Sequence, residues 1–367
     1  RWLLIEPNVR DVQPSRDAVN ARVTSLIHQL VAAKQFDAGT ICLADPFDAA
    51  RGLMRPDGSV DELLLPWRTA ASLLGGSRYL GELQLPTGSE NRVFLRRDGE
   101  VVMVVWNERE ATETLYLGEN IRQVDCWGRE STALSDGGGS TIRVGPVPTY
   151  VLGLNEAVAR WRMAVKFDTK HVPSVYRQAH ANGLHVKNTF GQGIGGRFRI
   201  VIVEDDKLSL DAETGTSRGG VSSRWNIEPG RGEFALGARE SRMFPLEMTL
   251  KGASYGRQPV RLDFDIDGTQ RYQFSAYREL YVGLGGIEID VVTRIDSDGN
   301  LLVEQRMKSS EEEAVSFNCY LYGPNRRQRS QVYRLGAEED LKVYRYPRGR
   351  EYLGTNLLLE AVEIDGP

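Results

Sequence analysis

After Gly75-Gly76 the chain stops repeating at three and four residues and begins to alternate. That change of period limits the fold more than anything else in the sequence. Before it, Val19, Val23, Leu26, Ile27 and Leu30 recur at helical spacing behind Ser15, a residue suited to accept from a first-turn amide. Leu63, Leu64, Trp67, Ala70, Ala71 and Leu74 repeat the pattern. Two short apolar runs, Trp2-Leu3-Leu4-Ile5 and Thr40-Ile41-Cys42-Leu43-Ala44, alternate with these helices. Strand, helix, strand, helix is the rhythm of a parallel sheet.

Beyond residue 78 the pattern is one of short strands and turns. Asn91 to Leu95, Glu100 to Trp106, Thr112 to Leu117, Ile121 to Trp127, Thr141 to Val144 and Tyr150 to Leu154 read as strands, punctuated by turns such as Arg97-Asp98-Gly99. Asn155 to Arg162 reads as a brief helix or linker. A second β block runs from Lys166 to Gly283, with the Gly-, Ser- and acid-rich stretch Asp205 to Gly232 inside it. A third begins at Ile287, where Asp296-Ser297-Asp298-Gly299-Asn300 marks a hairpin. The expected fold is mainly β: a βαβα corner over 1–78, then antiparallel sandwiches over 79–164, 165–284 and 285–367, the last of them incomplete.

The segment TFGQGIGGRFRI places Gly191, Gly193 and Gly196 on the spacing G-x-G-x-x-G. A dinucleotide loop needs a helix after the glycines, because the helix N-terminus carries the pyrophosphate. Here Arg197 to Val203 follows, β-branched and without helical period, so the glycines belong to a connection between strands. The charge balance, 46 basic against 50 acidic residues for a net −4, gives no electrostatic case for nucleic acid. Cys42, Cys126 and Cys319 are too sparse for a disulfide framework or a metal site, and the four histidines form no ligand pair at helical spacing. No cofactor is expected. No apolar run approaches the ~20 residues that span a bilayer. The first residues already lie inside a strand-like run, so the chain reads as an internal or C-terminal piece of a longer one.

Taken in order, RWLLIEP, TICLADPFD, DGSVDELLLPWRTAASLLGG, VVMVVWNE, IRQVDCWGRE and IRVGPVPTYVLGL resemble the end of a retaining (β/α)8-barrel glycoside hydrolase and its C-terminal β-sandwich. The two later β blocks resemble the immunoglobulin-like modules appended to large bacterial glycosidases. The resemblance implies an exported bacterial carbohydrate-active parent, with a sugar as substrate or ligand. It makes Glu6 the candidate nucleophile ending a seventh barrel strand, and Asp45 and Phe47 candidate sugar contacts after the eighth. The general acid and the rest of the barrel would lie upstream, since a retaining mechanism needs two carboxyl groups. Asn107-Glu108 lies in the sandwich and is discounted. Phe47 stands where such enzymes often carry tryptophan, and a Pro-fixed Asx turn at Asp45-Pro46 is the plainer account of that loop. Trp67, Trp106 and Trp127 read as core, and Trp225 as a strand-edge anchor. The alternative function is a non-catalytic tandem β-sandwich scaffold or carbohydrate-binding protein.

Overall fold

The computed structural model describes residues 2–11, 15–136, 139–174, 177–203, 224–252, 256–284, 286–310, 314–323, 326–336 and 338–364. Much of the Gly- and Ser-rich stretch lies outside these residues. Strands Trp2–Ile5 and Thr40–Leu43 pair in parallel through helix α1 (Arg16–Gln35). Ser15 caps α1, its Oγ accepting from Ala18 N at 3.1 Å. The row Val23, Leu26, Ile27 and Leu30 is buried, and helix α2 (Leu64–Leu74) buries Ala70 and Leu74.

What these helices cover decides the architecture. Val23, Leu26, Ile27, Leu30 and Leu74 share one core with Phe94, Val102, Val104, Tyr150 and Leu152, which belong to a six-stranded antiparallel sheet. The opposite face of that sheet, with Val93, Val101, Met103, Val105 and Val151, packs on Leu115, Ile142 and Val144 of a three-stranded sheet. Val101–Trp106 is therefore apolar at nearly every position because both of its faces are covered.

This corrects the expected barrel end. Among the described residues the parallel sheet has two strands, and Trp2, Leu3 and Leu4 are 84%, 41% and 58% exposed. The helices instead spend their apolar faces on the antiparallel sheet. The fold is mainly β, a βαβ crossover and a helix laid on the first of several β-sandwiches.

Helix α3 (Glu156–Ala164) follows, capped by Asn155, whose Oδ1 accepts from Val158 N at 3.1 Å. It is a core element of the next sandwich. Trp161 is fully buried, its ring 5.4 to 6.3 Å by centroid from Phe190, Phe234, Phe264 and Phe274. That sandwich packs a four-stranded sheet on a five-stranded one, whose order is His171–Val172, Arg271–Val282, Gly256–Asp267, Ile194–Ile202, Arg231–Leu236. The segment with Gly191, Gly193 and Gly196 joins strand Ala179–Lys187 to Ile194–Ile202, and no helix follows it. A Cβ at Gly196 would lie 2.7 Å from Asp265 O and 2.8 Å from the Phe234 ring, so this glycine serves close packing within the sheet. Trp225 is buried at the start of strand Trp225–Glu228.

The remaining strands form two three-stranded sheets around Met307, Phe317, Cys319 and Leu321. In one, Ile287–Ile295 and Leu301–Ser309 form the expected hairpin, with Asp296 N donating to Asn300 O at 2.9 Å and Gly299 at φ 78°. No helix among the described residues is long and apolar enough to cross a membrane.

Candidate binding groove

Two arginines fasten α3 to the second sandwich. Arg278, on strand Arg271–Val282, donates to the carbonyls of Val165 (2.7 Å) and Arg162 at the end of α3. These are carbonyls a helix C-terminus leaves without partners, and a cation there also meets the negative end of the helix dipole. In return Arg162 donates to Ser275 O at 2.8 Å and lies 5.5 Å from the centroid of Phe274. Burial pushes both guanidinium groups down, each to about 10. They remain charged at neutral pH, and no carboxylate lies within 4 Å of either among the described residues.

The joint leaves an open groove of about 1570 Å³ between the first sandwich, from Glu82 to Arg92 with Tyr116, and the outer face of the five-stranded sheet. On that outer face, successive rows run Glu233–Arg197–Asp265–Gln273 and Arg231–Arg199–Asp263–Ser275. Most of the charges neutralise one another. Asp265 takes Arg197 and Arg271, each at 2.6 Å, and hydrogen bonds led by Arg271 hold its carboxyl well below the usual range. Asp263 takes Arg261 at 2.9 Å and the Ser275 hydroxyl at 2.7 Å.

Arg199 and Arg231 are not neutralised in this way. They stand directly opposite each other on neighbouring strands, both exposed and both lining the groove. Among the described residues neither has a carboxylate within 4 Å. Like charges directly opposite on a sheet repel. The pair is what an anion entering the groove would meet.

None of the candidate site residues Glu6, Asp45 and Phe47 lies here. Glu6 is 63% exposed at the end of its strand and pairs with Arg51 at 3.1 Å. Asp45 accepts from Phe47 N at 2.8 Å, the Asx turn of the plainer reading, and Phe47 is half exposed. Close by, Arg10 and Arg22 hold Asp61 and Glu62 in a buried ion cluster, with Arg22 and Asp61 each 5% exposed and 2.9 Å apart. Burial alone would raise the Glu62 carboxyl, but hydrogen bonds from Arg10 and Arg22 outweigh it and hold it at about 2. Arg22 also donates to Asn8 O and Ala50 O. The cluster thus ties the loops beyond both parallel strands to α1, and every charge in it is committed to structure.

The sequence carried a weak signal for the groove. Arg197-Phe198-Arg199 alternates as a strand with one polar face, but nothing local places Arg231 against it. Among the described residues no cluster of three or more His, Cys, Asp or Glu is placed to hold a metal. The three cysteines are free, and burial pushes the Cys126 thiol up to about 12.

No protein-family model matches the chain, and no curated protein sequence does. Solved structures similar to it include the class 5 fimbriae chaperone CfaA, at 8% identity over 54% of this chain and 100% of that one, TM-score 0.22. The periplasmic chaperone SfaE aligns at 11% identity over 54% and 98%, TM-score 0.22. The CsuC–CsuE chaperone–tip subunit complex of Acinetobacter baumannii aligns at 13% over 54% and 97%, TM-score 0.21. At these values no function passes from them to this chain. The glycoside-hydrolase resemblance is corrected by the fold itself: among the described residues the parallel sheet has two strands, and the helices expected to close a barrel pack on the antiparallel sheet of the first sandwich. The hydrolase function and the carbohydrate partner implied by that resemblance lose their basis with it.

Proposed function

We propose that the protein is a non-catalytic β-sandwich scaffold that docks an acidic segment of a partner protein in the groove between its first two sandwiches. The observation that carries this reading is the pair Arg199 and Arg231, opposed on one sheet with no carboxylate within 4 Å of either among the described residues. Such an arrangement costs stability unless something anionic completes it. A polypeptide suits the groove better than a uniformly charged polymer, because Glu233, Asp263 and Asp265 interrupt the arginines. Spaced carboxylates could meet the cations and miss the acids.

A fluorescently labelled peptide of alternating glutamate and serine tests this, with anisotropy as the readout. Binding should weaken as salt rises, since the contacts are exposed ion pairs. It should be lost in the double variant Arg199→Ser, Arg231→Ser while the circular dichroism spectrum is unchanged. Equal binding by that variant, or none by the native protein, would remove the reading. Stronger binding of an oligonucleotide of equal charge than of the peptide would also count against it.

A further inference from the structure

Strand Ile287–Ile295 is the edge of its three-stranded sheet among the described residues, nine residues long and without proline. Its side chains alternate. Ile289, Val291, Thr293 and Ile295 share a face with Met307, Gln305, Val303 and Leu301, all buried on the neighbouring strand. Yet Val291 is 43% and Ile295 37% exposed, while Met307 and Val303 are fully buried. The apolar face simply runs out past the last strand.

The backbone at this edge is ordered for pairing. At one end Gly286 O accepts from Ser310 N, and at the other Asp296 N donates to Asn300 O, both at 2.9 Å. In an antiparallel ladder, alternate residues turn both N–H and C=O to the same neighbour. The even-numbered residues therefore face Leu301–Ser309. The odd-numbered ones, Ile289 to Ile295, turn theirs outward.

The opposite edge of the same sheet is guarded. Strand Asp340–Tyr346 puts Lys342 in register with Gln305, on the inward face, 3.0 Å from Asp340. A charge pointing inward at an edge is a device that blocks further strands. Ile287–Ile295 has none on its inward face.

We propose that Ile287–Ile295 pairs antiparallel with the same strand of a second copy, about a two-fold axis through Val291, joining two three-stranded sheets into one. The sequence of the strand is self-complementary in this register. Val291 faces Val291, Ile289 faces the partner's Thr293 and Ile287 faces the partner's Ile295, continuing the apolar face. All of the pairs from 289 to 293 that must exchange hydrogen bonds are odd-numbered on both strands. On the outer face Glu288, 3.0 Å from Lys308 of its own chain, meets the partner's Arg294, the counterpart of an arginine that lies 2.5 Å from Glu304. The contact extends these ion pairs across the axis, twice by symmetry, in the pairing where antiparallel side chains come closest. An interface built from one patch on both subunits closes at a dimer.

Sedimentation velocity should show a reversible dimer in the native protein. Val291→Lys, which places a charge on the inward face at the axis, should leave a folded monomer. Glu288→Arg should weaken the dimer, and Glu288→Arg with Arg294→Glu should restore it, a rescue that general destabilisation would not give. Val291→Cys should form a disulfide-linked dimer on mild oxidation, since Cα atoms of a hydrogen-bonded pair lie about 5.5 Å apart. Val343→Cys, on the guarded edge, should not. A native protein that is monomeric throughout, a dimer that survives Val291→Lys, or a monomer that takes an unrelated extended peptide at this edge would each overturn the proposal.

Discussion

The second sandwich is joined to its two neighbours in opposite ways. Toward the first, the joint is α3, with Trp161 among four phenylalanines and Arg162 and Arg278 on backbone carbonyls. Toward the third, a conspicuous polar contact is one carboxylate. Glu363 lies 3.0 Å from His171 Nε2, which also reaches Gly283 O at 2.8 Å, and accepts from the Ser174 amide and hydroxyl at 3.0 and 2.8 Å. The first joint is apolar, with charges held on guanidinium groups that stay protonated at neutral and acidic pH. The second depends on a group that does. A groove that must keep its width needs the first kind, and it is at the first that the groove lies.

The largest test of this difference is Trp161→Ala. Removing an indole from a closed core costs about 3–5 kcal/mol, and denaturant unfolding should show a loss of that order. Native stability in the variant would mean that α3 is a passive linker. Arg278→Met should come next. It leaves the carbonyls at the end of α3 without donors, at a cost of about 1–3 kcal/mol, and hydrogen exchange should quicken in α3 but not in the third region.

Glu363→Gln should cost less, about 1 kcal/mol, because the amide keeps one acceptor. Its effect should instead be confined to the contact with the third region. Burial raises the Glu363 carboxyl, but its bonds from His171 and Ser174 outweigh this and hold it below the ordinary 4.5. A carboxyl depressed in the folded state adds stability above 4.5 that is lost as pH falls through its folded value. Exchange at Ser174 and along Leu358–Glu363 should therefore rise on acidification below that point. In Glu363→Gln this dependence should be absent, while the first joint shows none in either protein. The ion cluster at Glu62 also loses its contribution between 4.5 and about 2, and its effect is told apart by place, since exchange should then rise in α1 rather than along Leu358–Glu363.

The smallest expected change is a gain. Arg231→Ser should relieve the repulsion with Arg199 and stabilise the free protein by about 0.2–1 kcal/mol, while abolishing peptide binding. A loss of stability would mean that Arg231 is structural, and the groove would then lose its claim to a ligand.

Local chemistry was legible wherever it acts over a few residues. Ser15 and Asn155 start helices, Asp296 to Asn300 closes a hairpin, and Arg197 to Val203 is a strand rather than the helix a phosphate loop requires. Each follows from a capping oxygen, a turn glycine or a period of two, all visible in one window. The barrel expectation failed at the next level. An apolar stripe such as Val23, Leu26, Ile27 and Leu30 states that it will be covered, but not by what, and here the cover is the antiparallel sheet. Arg22 lies one residue from that stripe, and its burial could not be read without Asp61 and Glu62 folding back onto it.

By itself, then, the sequence determined the strands, the helix starts, the turns and the alternation of faces, because backbone sterics, capping and periodicity are local. Tertiary structure alone decided which apolar faces meet, that Arg199 lies opposite Arg231, and that among the described residues one edge of the last region stays open while Lys342 guards the other. Those facts depend on register between distant strands. A shift of one residue would turn every side chain of a strand to its other face, and nothing within a single strand records which partner holds it in place.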